Sequence, residues 1–482
     1  MSLSSAINTA NSIFSNTAQQ TAIVSKNIAN ASNSDYSRRL AMLGSSLNGA
    51  QVVSIQRAQN DALLKQNIVS ISQASAQSTL FAGLETLKSS LGGNDYETSP
   101  STYLAAFRDS LQTFASTPGN TTIAATLVSD ANDLANSLNK TSTAVQDLRL
   151  EADKEIASSV NTLNGLLSDF ENANNGVMTA TASGSDASDA LDQRDKILRQ
   201  ISEIVGISTV TRSNNDTVIY TSDGTVLFEN TPRTVTFAAT SGFGATTAGQ
   251  PIYIDGVPVA AGTGGNTSGE GKLSALLQLR DEIAPKFQSQ LDEVARGLVE
   301  LFQEDDGTTT LPGLFTWTPT TPPATVPTAG TVEPGIASTL QVNALAQSDP
   351  LLVRDGGFNG TTYIKNTDGS SGYSDLLDSY VAAMDGVLAF DTTTGLDGSS
   401  TILDFATASV GWLEDLRSSA STAHDNKTAL LSRTQEALGN ETGVSMDEEL
   451  SLLLDLEQSY KASAKLVSTV DAMMAALLEA VR

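Results

Sequence analysis

Both ends of the chain carry apolar or small positions at alternating steps of four and three. Leu3, Ile7, Ala10, Phe14, Thr17, Thr21, Val24 and Ile28 make one row. Leu453, Leu456, Tyr460, Ser463, Val467, Val470, Met474, Leu477 and Val481 make the other. Each row lies on one helix face as a heptad-like stripe. A stripe this narrow is not buried by its own helix and needs a partner helix, from the same chain or a neighbour. Two complementary stripes at opposite ends imply that the termini meet. The chain reads as built for assembly, with these stripes as the assembly interface, unpaired in a lone chain and buried in a polymer.

Between the ends the period changes several times. Helical spacing predicts helices over 2–30, then up to about 91 through Leu64, Ile68, Ile71, Phe81, Leu84 and Leu87, then a short one through Leu104, Phe107 and Leu111. Residues 120–164 hold neither Gly nor Pro and predict one long helix, resumed through Leu166 and Phe170; 192–205 adds a shorter one. Alternation then predicts strands at 207–211, 217–221, 225–228 and 234–237, with more over 251–259. Val52, Val53 and Ile55 predict one short extended piece. The Gly-rich run 262–271 reads as a linker. A helix over 273–302 contains Pro285, which predicts a kink or boundary. Residues 303–335 read as irregular surface chain, and 374–388, 401–438 and 446–481 as closing helices.

The expected fold class is therefore α+β and multidomain: a long-helix coiled-coil trunk formed by both termini, with small β domains inserted. The expected division is 1–50 and 436–482 as the two parts of a terminal coiled-coil domain, with helical trunk at 51–206, 271–302 and 373–435. A β-rich insert occupies 207–270 and an irregular insert 303–372.

Composition narrows the function. The 482 residues include 27 Lys+Arg against 54 Asp+Glu, a net charge of −27. Such a surface disfavours nucleic acid, whose phosphates need a basic face, and disfavours an anionic membrane. There are no cysteines, so thiolate chemistry, disulfides and Cys-ligated metals are excluded. No apolar run of about 20 residues predicts a membrane span, and no classical signal peptide is expected. The lone histidine, His424, sits in a polar helical stretch without a nucleophile motif and reads as a solvated helix residue. There is no H-E-x-x-H, and the Gly-rich run lacks the Lys-Ser/Thr of a phosphate loop. No catalytic, cofactor-binding or metal-ligating residue is expected.

Three segments carry a more specific signal. The segment Asn27-Ile28-Ala29-Asn30-Ala31-Ser32-Asn33-Ser34-Asp35-Tyr36-Ser37-Arg38 follows the first helix. It resembles the N-x-A-N-x-x-T-x-G-Y signature of flagellar rod, hook and hook-associated proteins, with Asn33 in the Thr slot and Asp35 in the Gly slot. The Gly implies a left-handed turn, which Asp tolerates better than most residues. Near the C-terminus, Gly443-Val444-Ser445-Met446-Asp447-Glu448-Glu449 and Gln458-Ser459-Tyr460-Lys461-Ala462-Ser463-Ala464 resemble the G-V-N-x-D-E-E and Q-x-x-Y-x-A-x-A patterns of the same axial family. Carboxylates at a helix start suit the helix dipole, and the small residues permit close helix approach. Internally, Asp192-Gln193-Arg194-Asp195 and Arg280-Asp281 resemble the two R-D stretches of the FlgK type. Read locally, an acid–Arg–acid run forms weak ion pairs within its own helix.

The resemblance implies a structural subunit of the bacterial flagellum at the junction of hook and filament. It implies export through the type III apparatus, followed by folding of the terminal helices into coiled-coil layers outside the cell. The implied partners are copies of itself, the hook protein on one side and a second junction protein of the FlgL type on the other. A cytosolic export chaperone would hold the C-terminal helix before export. A hook protein or flagellin-like filament protein is the alternative, and a secreted adhesin a more distant one.

Overall fold

The computed structural model describes residues 3–46, 49–318 and 324–480. Side chains at Leu3, Ser4, Ser46 and Gly49 are not described, and Val481 lies outside the described residues. The chain is an α+β protein in which long helices carry small, separate antiparallel sheets.

Helix α1 (Leu3–Ala29) is followed by a hairpin of β1 (Arg39–Ser46) and β2 (Gly49–Arg57). Helices α2 (Asp61–Ser90), α3 (Pro100–Ser116), α4 (Thr121–Ser183) and α5 (Ser188–Ile204) follow. Each start has a local cause. Asn60 accepts from Leu63 N, Ser99 from Thr102 N, and Asn120 from Thr122 N and Ile123 N. The 63 residues of α4 span about 95 Å. Its end is fixed by Gly184, whose positive φ closes the last turn.

The β insert contains a three-stranded sheet of β3 (Ile207–Thr211), β4 (Thr217–Thr221) and β5 (Val226–Phe228). After it come α6 (Lys272–Leu277), a π-helical turn over Gln278–Ile283, and α7 (Ala284–Leu301). The wide turn stands immediately before Pro285. Ala284 N donates to Leu279 O, and Pro285, which has no N–H, falls in the first turn of α7, where none is needed. Three short helical pieces, α8 (Ile336–Thr339), α9 (Ala344–Ser348) and α10 (Leu352–Asp355), lead to α11 (Asp375–Met384), α12 (Ile402–Thr442) and α13 (Met446–Ala480).

Among the described residues, two hydrophobic cores lie along α4. The larger joins α2, α3, the first half of α4, α7, α11 and α12, with Phe107, Phe302 and Phe315 packed edge to face. Leu314, Phe315 and Ile336 are fully buried in it. Thus 303–335 is not simply surface chain; Leu314 and Phe315 are buried in this core, with Phe315 against Phe107 and Phe302. The smaller core joins the second half of α4, α5, α6 and the β insert around Phe170 and Phe228. Helices α2 and α12 run antiparallel, with Asn67 meeting Thr434, Phe81 stacked on His424 and Glu85 paired with Arg417. His424 is half-buried, because the Phe81 ring covers it.

The Gly-rich run 262–271 is a docked segment. Gln77, fully buried, donates to Gly265 O and Ala420 O and accepts from Thr267 N, while Lys427 donates to Thr267 O. Composition alone reads this run as a linker because glycine brings no side chain to pack; neighbouring side chains supply its partners instead.

Asp292 on α7 holds the second insert. Its carboxylate accepts from Gly335 N, Ala337 N and Gln288 Nε2. Burial nevertheless pushes its pKa from 3.8 up to about 6. The folded chain therefore binds a proton between about pH 4 and 6 that the unfolded chain has lost. The stability linked to this group is present below pH 4 and is lost as pH rises through 6, on the order of 2–3 kcal/mol. Asp292→Asn cannot titrate. The wild-type minus variant difference in urea midpoint should fall between pH 4.5 and 7, and a flat difference would contradict this assignment.

Candidate assembly site

Helices α1 and α13 pair antiparallel within one chain. Phe14 meets Tyr460 edge-on at 5.0 Å between ring centroids, and Asn27 lies against Glu449. On α1, Ala10, Thr17 and Val24 are buried, while Ile7, Phe14, Thr21 and Ile28 are half-buried. On α13, Leu456, Ser463 and Val470 are buried at heptad spacing, with Leu453 and Val467 half-buried beside them and Tyr460 exposed apart from its contact with Phe14. The terminal stripes are thus paired in the lone chain, contrary to the expectation that they stay unpaired until polymerisation. Met474 and Leu477 are exposed, because the antiparallel register carries the last turns of α13 past the start of α1. Leu466, Met473 and Leu478 are exposed as well, so α13 keeps an uncovered apolar surface.

At its other end this pair enters a polar knot. Asn27, 1% exposed, makes four hydrogen bonds. Its Nδ2 donates to Arg39 O (2.9 Å) and Glu449 Oε2 (3.0 Å); its Oδ1 accepts from the Tyr36 hydroxyl (2.7 Å) and Arg39 N (3.0 Å). Arg38 donates through Nε to Glu449 and through Nη1 to Glu448, both at 2.7 Å, and its backbone N donates to Thr442 O. Glu448 and Glu449 therefore do more than complement the dipole of α13: they receive the arginine of the N-terminal segment. Asn30 closes α1 by donating to Lys26 O. Burial pushes the Tyr36 phenol up to about 12, so it stays a hydrogen-bond donor throughout the physiological range.

The first turns of α5 complete the knot. Arg39 reaches Asp189 and Asp192; Arg57 reaches Asp192 (3.1 Å) and Asp195 (2.7 Å). Lys26 pairs with Asp189 at 2.9 Å and holds that carboxyl below its ordinary range. Burial instead raises Asp195, outweighing the nearby Arg57. Asp192 and Asp195 thus pair across the fold rather than within their helix, and Arg194 turns away to Asn174 and Asn215 O. Asp35 is not left-handed. It pairs with Lys196 (3.2 Å) and Arg199 (2.8 Å), a use that glycine could not fill. Ala29, Gln193, Asp447 and Gln458 are exposed, and Ser37 N lies 3.5 Å from Asp192.

Arg280 and Asp281 lie elsewhere, on the π turn. Arg280 reaches Asp153 on α4 (2.6 Å), Gln250 O in the β insert (2.7 Å) and Asp281 (2.7 Å). A Cβ at position 249 would stand 2.3 Å from its Nε, so that close approach requires Gly249. Sequence reasoning did not select Lys26, Arg39, Arg57 or Arg199. The visible signal was the Asp189, Asp192, Asp195 spacing, which puts three carboxylates on one helix face in need of cations.

Known proteins resemble this chain in sequence and in fold. Residues 84–307 match the family model for the flagellar hook-associated protein FlgK helical domain, and 435–480 match that for the flagellar basal body rod FlgEFG protein C-terminal region. Flagellar hook-associated protein 1 of Salmonella typhimurium is 25% identical over 292 residues, 58% of this chain and 52% of that protein. In sequence the chain is similar to the FlgK-type hook-associated proteins. The same match is found in Salmonella typhi, and the chain spans about half the length of these curated relatives. The flagellar hook junction protein FlgK from Burkholderia pseudomallei shares the fold, with a TM-score of 0.57 and 13% identity over 77% of this chain and 99% of that one. No described helix is long and apolar enough to cross a membrane.

Proposed function

We propose that this chain is a structural subunit joining the flagellar hook to the filament, placed outside the cell after type III export. The reading rests most on the terminal pair: α13 keeps Leu466, Met473, Met474, Leu477 and Leu478 exposed although α1 already covers one side of it. An apolar strip of this kind suits a neighbouring helix. The Burkholderia protein that shares this fold is a flagellar hook junction protein, which supports the same place in the flagellum. In this reading the seam of Ile7, Phe14, Val24 and Ile28 with Leu453, Leu456, Tyr460, Val467 and Val470 forms within each subunit, and the uncovered side of α13 meets other copies. The hook protein and a FlgL-type junction protein stand on either side, and the exposed C-terminal helix is what an export chaperone would hold.

Deleting the gene should leave hooks without filaments in electron micrographs, with flagellin shed into the medium. A chain lacking 446–482 should fail to restore filaments. Normal filaments on the deletion strain would overturn the reading and favour another axial subunit or a surface adhesin.

A further inference from the structure

The body made of α1, the hairpin and α13 has its own buried residues, among them Ala10, Val24, Leu456 and Val470. Among the described residues, neither hydrophobic core contains any part of it. The chain crosses between this terminal unit and the trunk twice, through 58–60 and 443–445, each three residues outside helix and strand. Gly443 lets the second crossing close tightly, since a Cβ there would stand 2.4 Å from Gly439 O.

What α5 presents to the unit is charged. Asp189, Asp192, Asp195 and Arg199 follow at steps of three, three and four and share one helix face. Opposite stand Lys26, Arg39, Arg57 and Asp35, each paired as described above. Arg39 and Arg57 are nearly buried, whereas Asp189, Lys26 and Lys196 are largely in solvent. The Nε atoms of both buried arginines lack a hydrogen-bond partner, so the joint is incompletely satisfied. A groove of about 830 Å³ opens on it, lined by Asp35, Arg57, Asp192, Asp195 and Arg199. Salt weakens the solvent-reached pairs of Lys26 with Asp189 and of Asp35 with Lys196 and Arg199 most, the buried pairs of Arg39 and Arg57 less, and an apolar seam not at all.

We propose that α5 is an electrostatic latch. Its strip of Asp189, Asp192, Asp195 and Arg199 fixes the orientation of the terminal unit. High ionic strength, or neutralisation of the strip, releases the unit to swing about 58–60 and 443–445 while α1 and α13 stay paired. The device belongs to the single chain and operates whichever neighbours a polymer supplies.

The absence of cysteine allows two spin labels to be placed cleanly. Ala18→Cys with Ser158→Cys spans the joint; Ala18→Cys with Ser459→Cys spans the seam. All three positions are exposed. From about 10 mM to about 1 M NaCl the screening length falls from about 30 Å to about 3 Å, and the cross-joint distance distribution should broaden at least about twofold while the seam distance holds. Asp35→Asn with Asp189→Asn, which removes only the solvent-reached carboxylates, should broaden it already at low salt, and Asp192→Asn should broaden it further. A cross-joint distribution that stays narrow through salt and variants overturns the latch. So does broadening that occurs only when the seam distance is lost as well.

Discussion

Replacing Asn27 with leucine should detach the terminal helices while the trunk stays folded. The side chain is buried and sits at the centre of four hydrogen bonds, joining α1 to Tyr36, Arg39 and Glu449. Leucine has similar volume but offers neither a donor nor an acceptor. The Tyr36 hydroxyl and both backbone groups of Arg39 would be left unpaired, at about 1–3 kcal/mol each where water does not reach them. Glu449 keeps Arg38, so its carboxylate is not orphaned. A net loss of about 3–5 kcal/mol is expected. Hydrogen exchange should show protection in α1 and α13 falling by about a hundred- to about five-thousand-fold, with α4 and α7 unchanged. Asn27→Asp offers a pH-dependent contrast. Its carboxylate faces Glu449 and is repelled when ionised, but once protonated it can donate as the amide does. Partial recovery of protection on acidification is expected for this variant. Protection that survives Asn27→Leu would show that the apolar seam alone holds the pair.

Which parts of this arrangement were legible depended on the range of the physics. The two terminal stripes were visible because a 3.5-residue period is local, and the structure places Phe14 on Tyr460. Their register was not visible: Met474 and Leu477 continue the period, yet α1 ends before it can cover them. The first hairpin strand was missed because Leu40, Met42 and Leu43 all face solvent, so no buried alternation marks it; the bulge opposite Met42 and Leu43 falls on Val53 of β2. Pro285 marked a real irregularity, but whether a kink or a π turn resolves it depends on the packing of α6 and α7 against α4. The partners of Asp192 lie more than 130 residues away, on Arg39 and Arg57, and only the fold brings them together. Asn27, Tyr36, Arg38, Asp192, Asp195, Glu448 and Glu449 of the axial-like segments thus turn out to be hydrogen-bonding or ion-pairing residues of one knot, while Arg280 and Asp281 make a separate contact in the trunk.

Arg280→Met should be the most damaging single change to the trunk. The guanidinium is fully buried and joins three parts of the chain: Asp153 on α4, Gln250 O in the β insert and Asp281 beside it. Methionine fills much of the space but leaves the Asp153 carboxylate buried with only Thr240 N as a described partner. Breaking one side of a buried pair costs about 3–5 kcal/mol, because a charge is stranded. The guanidinium chloride midpoint followed by Trp317 and Trp412, which pack on the larger core, should fall accordingly. Asp153→Leu should be similarly harmful by stranding the arginine. The double variant Asp153→Leu with Arg280→Met should recover about half of the summed loss or more, since no charge then remains buried. The recovery separates a desolvated pair from simple packing: two independent packing defects would add. An additive double variant would mean that Arg280 acts through Gln250 and the insert loop, with Asp153 a bystander.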